Sequence, residues 1–251
     1  MPSIIDRIAA SRISFDKARA PKQPDPVGYG GRRAFLQSSA AILLAATLLP
    51  AAAWATDSAP MIKLIAFGDS LSAGFQLPAA AAFPAVLEKE LRREGYRVAV
   101  ANAGVSGDTS SGGLARLDWS IAEGADGLIL ELGANDMLRG IDPEVTKAAL
   151  GAMLQTLKSR NIKVLIAGMR ASPSLGKDFK ARFDAIFPDL SAKYGAPLYP
   201  FFLEGVAGER GLTLADGIHP NAAGVERIAQ GILPSVRALI GEIGNKTGGA
   251  R

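Results

Sequence analysis

Three short apolar runs, each followed at once by a polar turn, constrain the fold of this chain more than any other feature. Short runs of this kind that are bounded by glycine are typical of buried β-strands. Helical patterns separate the runs, and strands that alternate with helices predict parallel pairing with helices on both faces of the sheet. The sequence therefore predicts an α/β fold, a three-layer α/β/α sandwich. The three runs are residues 62–66, 97–101 and 127–132.

The same pattern continues toward the C-terminus, where residues 163–168 and 197–201 predict two further strands. The last helix is expected to break at Pro234, because proline lacks the N–H that a helix interior needs. The tail from Gly241 is expected to fray. Helices are predicted over residues 83–94, 114–122, 143–159, 177–194 (despite Pro188) and 222–240.

Polar side chains follow three of the predicted strands. The carboxyl ends of parallel strands share one edge of a sheet, and open α/β folds keep their binding crevices there. We therefore expect these turns to meet and to form a site. The predicted site contains Ser70, Gly107, Asn135 and the segment 216–219.

His219 is the only histidine of the chain, and it suggests a role for Ser70. A serine hydroxyl is a poor nucleophile unless a neighbouring base takes its proton, and imidazole suits that task near neutral pH. Asp216 lies three residues before His219, where its carboxylate can hold the imidazole tautomer and stabilise the imidazolium. The pattern favours nucleophilic catalysis by these three residues. A structural role stays open, with Ser70 in a turn or helix cap and His219 as a surface or capping residue.

Acyl transfer also needs hydrogen-bond donors directed at the developing oxyanion. Gly107 allows a backbone N–H to approach a substrate closely, Asn135 offers uncharged side-chain N–H groups, and the Ser70 backbone N–H is a third candidate. Glycine and asparagine are also the default residues of turns, so that interpretation stays open at this point. Asp69 and Asp136 are expected to order their own turns.

Four blocks of the chain resemble the SGNH (GDSL) hydrolases, and the resemblance covers almost all of it after the N-terminal segment. It implies a flavodoxin-like parallel sheet, a nucleophile at Ser70 and an Asp216–His219 partner pair. It further implies an oxyanion hole from Ser70, Gly107 and Asn135, with no metal and no organic cofactor. The blocks are Gly68-Asp69-Ser70-Leu71-Ser72, Gly107, Gly133-x-Asn135-Asp136 and Asp216-x-x-His219-Pro220.

Residues 102–110, 113–117 and 135–140 are similar to one branch of this family, that of the multifunctional acyl-CoA thioesterase I, lysophospholipases and arylesterases. The resemblance implies hydrolysis of small-molecule acyl esters or thioesters. Ala134 departs from the branch, because many of its members have a glycine there. The added methyl group is expected to narrow the site or to stiffen its loop, which leaves the preferred acyl length open.

Two other functions stay open. The family also contains carbohydrate O-acetylesterases, and a non-catalytic exported binding protein could keep the same scaffold. A preference for long acyl chains requires an apolar groove, although core and loop packing would explain the same side chains. Arg116 and Arg139 are candidates for steering anionic substrates, or else they belong to salt-bridged surfaces. The candidate groove residues are Phe75, Leu77, Met137, Leu138, Leu175, Ile186, Phe187 and Ile218.

The first 55 residues are predicted to form an export signal. Arg32-Arg33 precedes an uncharged run rich in alanine and leucine, as in twin-arginine leaders. Ala53-Trp54-Ala55 has the small-x-small pattern of a cleavage site before Thr56. An uncleaved membrane anchor is the alternative, because the run is long enough to span a bilayer.

Removing residues 1–55 changes the charge balance. They hold seven of the 28 basic and three of the 24 acidic residues, so that 21 of each remain. The remaining chain has no basic run to bind nucleic acid, and without cysteine it has neither disulfides nor thiolate metal sites.

Residues 56–251 are predicted to form a single hydrolase domain with a core over 61–240. We expect this domain in the periplasm, or secreted, without stable insertion in a membrane.

Overall fold

The structure is a computed structural model, and it describes residues 61–121 and 123–248. The predicted leader, its cleavage position before Thr56 and the membrane-anchor alternative fall outside these residues. Among the helices of the described part, none is long and apolar enough to cross a lipid bilayer.

Five strands form one sheet. They are β1 (Ile62–Gly68), β2 (Val98–Gly104), β3 (Gly127–Glu131), β4 (Lys163–Ala167) and β5 (Leu198–Tyr199). Their order is β2-β1-β3-β4-β5, and every neighbouring pair is parallel. The order reverses between β1 and β3, as in flavodoxin-like doubly wound folds, which opens a crevice at the carboxyl ends of these strands.

Helices cover both faces of the sheet. They are α1 (Ser70–Ala73), α2 (Phe83–Arg93), α3 (Ser110–Ser120), α4 (Ala134–Leu138), α5 (Pro143–Ser159), α6 (Lys177–Tyr194) and α7 (Ala222–Gly248). One face is covered by α2 and α7, which pack together, and the other by α3, α5 and α6. Their apolar sides meet the strands in one core, in which β3 is buried along its whole length. The predicted three-layer sandwich is confirmed.

The last helix differs from its prediction, because α7 continues through Pro234 and past Gly241 to Gly248. The proline removes the helical bond to the carbonyl of Gln230, four residues earlier. Both residues lie on the exposed side of the helix, where water can satisfy that carbonyl. The buried side continues with helical spacing before and after the proline, so its packing favours an unbroken helix. This side consists of Val225, Ile228, Ala229, Ile232, Val236, Leu239, Ile240 and Ile243.

The start of α3 also differs, since the helix begins at Ser110 and not at residue 114. The Thr109 side chain caps it by accepting a hydrogen bond from the Gly112 N–H at 3.2 Å, a local signal of a helix start. The single-turn helices α1 and α4 are too short to show a hydrophobic period, so the sequence pattern does not predict them. Both begin where a strand ends, and both contain candidate site residues.

The register at the carboxyl end of the sheet determines the geometry of the site. Gly68, the last residue of β1, lies beside Gly104 of β2 and Glu131 of β3. A Cβ atom on Gly68 would lie 2.3 Å from the Glu131 carboxylate and 2.3 Å from the Ser72 hydroxyl. Because only glycine avoids this collision, the turn after β1 can pack directly on β3.

Candidate active site

Ser70 is the first residue of α1 and follows β1 after the single turn residue Asp69. The Asp69 carboxylate caps this short helix, since its Oδ1 accepts a hydrogen bond from the Leu71 N–H at 3.0 Å. The Ser70 N–H belongs to the first turn and has no acceptor within the helix. Ser70 is therefore a buried residue, 8% exposed, with a backbone donor that the helix does not use.

His219 approaches Ser70 from the loop that precedes α7. A β-bridge between Thr213 and Pro220 closes this loop. The Leu214 N–H donates to the His219 carbonyl at 2.8 Å. The loop is thereby fixed at the carboxyl edge of the sheet, where the sequence predicts it.

Hydrogen bonds connect Ser70, His219 and Asp216 in one chain. The Ser70 Oγ lies 2.8 Å from the His219 Nε2, and the His219 Nδ1 lies 2.7 Å from the Asp216 Oδ2. The Asp216 Oδ1 accepts hydrogen bonds from the backbone N–H groups of Ile218 and His219, at 2.9 and 3.0 Å. These contacts, with the Ile218 N–H as the largest and the imidazole next, lower the pKa of Asp216 to about 2. The carboxylate is therefore ionised at neutral pH.

The ionised Asp216 determines which nitrogen of His219 holds the proton. A carboxylate only accepts hydrogen bonds, so Nδ1 donates and Nε2 keeps a lone pair for the Ser70 hydroxyl. The Phe75 ring lies 4.3 Å from the imidazole ring, tilted by 34°. Phe75, a candidate groove residue, thus contacts the proposed base itself, and it restricts the ring's orientation.

Gly107 and Asn135 lie on two turns at the same edge of the sheet. Gly107 follows β2 in a turn closed by a hydrogen bond from the Asp108 N–H to the Val105 carbonyl at 3.1 Å. Its φ of +82° favours glycine. Asn135 lies in α4, after β3, and its Nδ2 donates to the Asp69 Oδ2 at 2.9 Å. An asparagine Nδ2 has two protons, so one N–H remains for a ligand.

Two buried carboxyl groups lie close to Ser70, that of Asp69 in the turn after β1 and that of Glu131 at the end of β3. The Glu131 Oε2 accepts hydrogen bonds from the Ser72 hydroxyl at 2.8 Å and from the Asp69 N–H at 3.2 Å, whereas its Oε1 has no partner among the described residues. Burial raises the pKa of Asp69 to about 6, against the opposing hydrogen bonds from Leu71 and Asn135. Burial and the neighbouring Asp69 carboxyl raise the pKa of Glu131 well above its usual range. This environment favours the protonated form of Glu131.

We expect Glu131→Gln to stabilise the protein increasingly as the pH rises. In the folded protein Glu131 keeps its proton, whereas in the unfolded chain it loses that proton near pH 4.5. The free energy of unfolding of the wild type therefore falls as the pH rises above 4.5, until Glu131 ionises in the folded state as well. Glutamine keeps the shape and one acceptor oxygen without the charge. Each pKa unit corresponds to about 1.4 kcal/mol, or roughly 3–6 °C in Tm for a domain of this size. Thermal melts between about pH 5 and pH 8 measure this, and a constant Tm difference would contradict it.

Arg116 does not face a substrate, and the steering role suggested for it is wrong. Its guanidinium is buried, pairs with the Asp108 carboxylate at 2.6 Å and donates to the carbonyls of Gly68 and Ala103, each at 2.9 Å. Arg116 instead connects the ends of β1 and β2 to the turn that contains Gly107.

Asp136 does more than order its own turn. Its Oδ2 accepts a hydrogen bond from the Ser110 N–H at 2.8 Å, and its Oδ1 accepts from the hydroxyls of Ser110 at 2.5 Å and Thr146 at 3.0 Å. The carboxylate thus joins α4 to the beginning of α3 and to α5.

Among the described residues, no group of three or more metal-ligating side chains is close enough to hold an ion.

Only two of the candidate groove residues are largely exposed beside the site. Leu138 ends α4 and is 55% exposed, and Ile218 precedes His219 and is 47% exposed. Ile186 and Phe187 are core residues, so their proposed place in a groove is wrong. Three further candidates are partly buried against the core, as is Ala134. They are Leu77, Met137 and Leu175.

Residues 66–227 match the GDSL-like Lipase/Acylhydrolase family. The matched span contains all five candidate site residues of the sequence analysis. The chain belongs to this family and is an SGNH hydrolase that acts on ester bonds. The family predicted from the four sequence blocks is confirmed.

Individual relatives agree with this assignment. The chain is 39% identical over 186 residues to Esterase TesA of Pseudomonas aeruginosa. This alignment covers 74% of this chain and 92% of the relative. It is 38% identical over 178 residues to Thioesterase 1/protease 1/lysophospholipase L1 of Escherichia coli strain K12. That alignment covers 70% of this chain and 84% of the relative. Among solved structures, AlinE4, an SGNH-hydrolase family esterase, is 42% identical with a TM-score of 0.61, over 71% of this chain and 96% of its own.

Proposed function

We propose that this esterase cleaves carboxylic esters and thioesters of small molecules through an acyl-enzyme on Ser70. The observation that carries the proposal is the hydrogen-bond chain from the Ser70 Oγ through both ring nitrogens of His219 to Asp216. Such a chain provides a nucleophile, a base and a group that orients the base. Gly107 and Asn135 lie at the same edge of the sheet and are the proposed partners of the oxyanion.

Acylation begins when the His219 Nε2 takes the Ser70 proton while the Ser70 Oγ attacks the acyl carbonyl carbon. The carbonyl oxygen becomes an oxyanion and accepts hydrogen bonds from the N–H groups of Ser70 and Gly107 and from the Asn135 Nδ2. Asp216 remains ionised and stabilises the imidazolium. When the tetrahedral intermediate collapses, the bond to the alcohol or thiol breaks, and the leaving group departs with the proton from His219.

Deacylation repeats these steps with water. His219 takes a proton from a water molecule, whose oxygen attacks the acyl carbon, and the same three donors bind the second oxyanion. Collapse releases the carboxylic acid and returns the proton to the Ser70 Oγ. No metal or organic cofactor takes part in the proposed reaction.

We place the substrate preference at medium or long acyl chains. The names of two relatives, an esterase and a thioesterase/lysophospholipase, support an acyl substrate. The exposed side chains of Leu138 and Ile218 support the length, because an acyl chain that covers them removes apolar surface from water.

Hydrolysis of a p-nitrophenyl ester series, from acetate to palmitate, tests this preference. We expect kcat/KM to rise from acetate toward medium chains, because each buried methylene contributes about 0.8 kcal/mol, or about fourfold. A profile confined to acetate would instead indicate a carbohydrate O-acetylesterase. Hydrolysis of none of the esters would favour a non-catalytic binding protein.

The proposal includes export of the protein through the twin-arginine pathway to the periplasm. Arg32-Arg33 and the following apolar run support the route, and Ala53-Trp54-Ala55 supports cleavage before Thr56. An exported esterase would meet acyl substrates outside the cytoplasm.

A further inference from the structure

Packing does not explain how the turn that contains Gly107 keeps its position. Val105, Ser106 and Gly107 are exposed, and a Cβ atom on Gly107 would have no neighbour closer than 3.8 Å. Glycine also adds backbone freedom. A donor to an oxyanion must nevertheless be in place before the reaction begins, so polar contacts must fix this turn.

Two of those contacts hold the chain after Gly107. The Asp108 carboxylate pairs with the buried Arg116 at 2.6 Å, and Ser110 donates to Asp136 through both its N–H and its hydroxyl. They fix the residues on the side of α3. Neither reaches the Gly107 peptide itself.

Arg139 does reach that peptide. Its Nη2 donates to the Gly107 carbonyl at 2.7 Å, and this nitrogen is also the atom nearest to the position of a Gly107 Cβ. The opposite end of the same peptide, the Asp108 N–H, is bound to the Val105 carbonyl. With both ends bound, this Gly107–Asp108 peptide cannot rotate without breaking a hydrogen bond. The Gly107 N–H belongs to the preceding peptide, which shares the Gly107 Cα, so fixing one peptide limits the orientations of the other.

Arg139 is also connected to the second proposed oxyanion donor. It caps the C-terminus of α4, and its backbone N–H donates to the Asn135 carbonyl at 3.1 Å. Its backbone therefore moves with Asn135, and its side chain holds Gly107. One residue thus joins two turns that come from different strands.

We propose that Arg139 is a positioning residue of the oxyanion hole, which sets the Gly107 N–H relative to the Asn135 side chain. This inference rests on the proposed function, because it assumes that both groups bind the oxyanion. Arg139 acts through the Gly107 carbonyl, and so through the backbone around the Gly107 Cα, and not through contact with the substrate. Its removal should therefore slow the chemical step and leave binding of the ground state almost unchanged.

Substitutions of Arg139 test the inference on a neutral p-nitrophenyl ester. Arg139→Met keeps an extended aliphatic chain but removes every hydrogen-bond donor. We expect it to lower kcat about tenfold with KM nearly constant. This loss is smaller than the loss of about a hundredfold or more in kcat that follows removal of an oxyanion donor itself. Arg139→Lys keeps a charged donor and should fall between Met and the wild type. The loss should persist in about 1 M NaCl, where the charge of an exposed guanidinium is screened beyond about 3 Å.

A matched control removes another exposed guanidinium. Arg93 pairs with Glu90 on α2, and Arg93→Met should leave kcat unchanged. Wild-type kcat in Arg139→Met would overturn the inference. So would a loss that is confined to KM, which indicates contact with the substrate, or a loss that disappears at high salt, which indicates that Arg139 acts through its charge.

Asn135→Ala separates this inference from the proposed function. If Asn135→Ala also has wild-type kcat, the proposed oxyanion hole itself is wrong. If Asn135→Ala is impaired and Arg139→Met is not, only the positioning role of Arg139 is wrong.

Discussion

Ser70→Ala is expected to abolish ester hydrolysis, with kcat reduced roughly a million-fold, the size of effect that follows loss of the nucleophile in a serine hydrolase. The Ser70 Oγ forms the covalent bond of the acyl-enzyme. Among the described contacts, no other hydroxyl is hydrogen-bonded to the His219 Nε2. Alanine removes one oxygen whose hydrogen-bond partner is that imidazole. We therefore expect the fold to remain, with Tm changed by a few degrees at most.

Initial rates on the best p-nitrophenyl ester, with Tm as a measure of folding, test this expectation. Ser72→Ala is the matched control, because Ser72 lies two residues further along α1 and donates to Glu131, not to His219. We expect this variant to retain hydrolysis. Substantial activity in Ser70→Ala, or a loss in Ser72→Ala as large as that in Ser70→Ala, would contradict the assignment of the nucleophile.

Asp216→Asn is expected to lower kcat about 10⁴-fold, because it imposes the wrong imidazole tautomer. The backbone N–H groups of Ile218 and His219 require an oxygen at the position of the Asp216 Oδ1. The amide NH₂ must then face the His219 Nδ1 and donate to it. The imidazole proton moves to Nε2, which can no longer accept the Ser70 proton.

The kcat of Asp216→Asn, measured on the same ester and with Tm as a control, tests this prediction. Asp142→Asn is the matched substitution, since the Asp142 carboxylate also accepts a backbone N–H bond, from Glu144 at the start of α5. It should leave kcat unchanged. If Asp216→Asn retains kcat within about tenfold of the wild type, Asp216 does not fix the tautomer, and the proposed triad loses its third member.

Much of the fold and the candidate site can be predicted from the sequence because their signals are local. An apolar run followed by Gly68-Asp69-Ser70 indicates the end of a strand, and parallel strands place such ends together. The structure brings Ser70, His219 and Asp216 within hydrogen-bond distance, as the sequence predicts. Their catalytic roles remain proposals that the two substitutions above test.

The features that the sequence does not predict depend on contacts between residues that are distant in the chain. Arg116 has the same charge whether it faces solvent or lies between strand ends, so the sequence alone does not show that it is buried. Glu131 ends an apolar strand, and a carboxylate there is expected to reach water, but Gly68 brings the neighbouring turn over it. Pro234 breaks a helix by local rules, and the packing of both halves of α7 overrides them.

The proposed nucleophile and its base come from opposite ends of the described chain. The hydrogen bond between Ser70 and His219 joins residues 149 positions apart. A nascent polypeptide that has emerged only as far as β4 therefore contains the serine without a base, and its hydroxyl remains an ordinary alcohol. On the proposed mechanism, hydrolytic activity begins only when translation has delivered the loop before α7. Activity gained during synthesis or refolding would then report that the first strand and the last loop have come together.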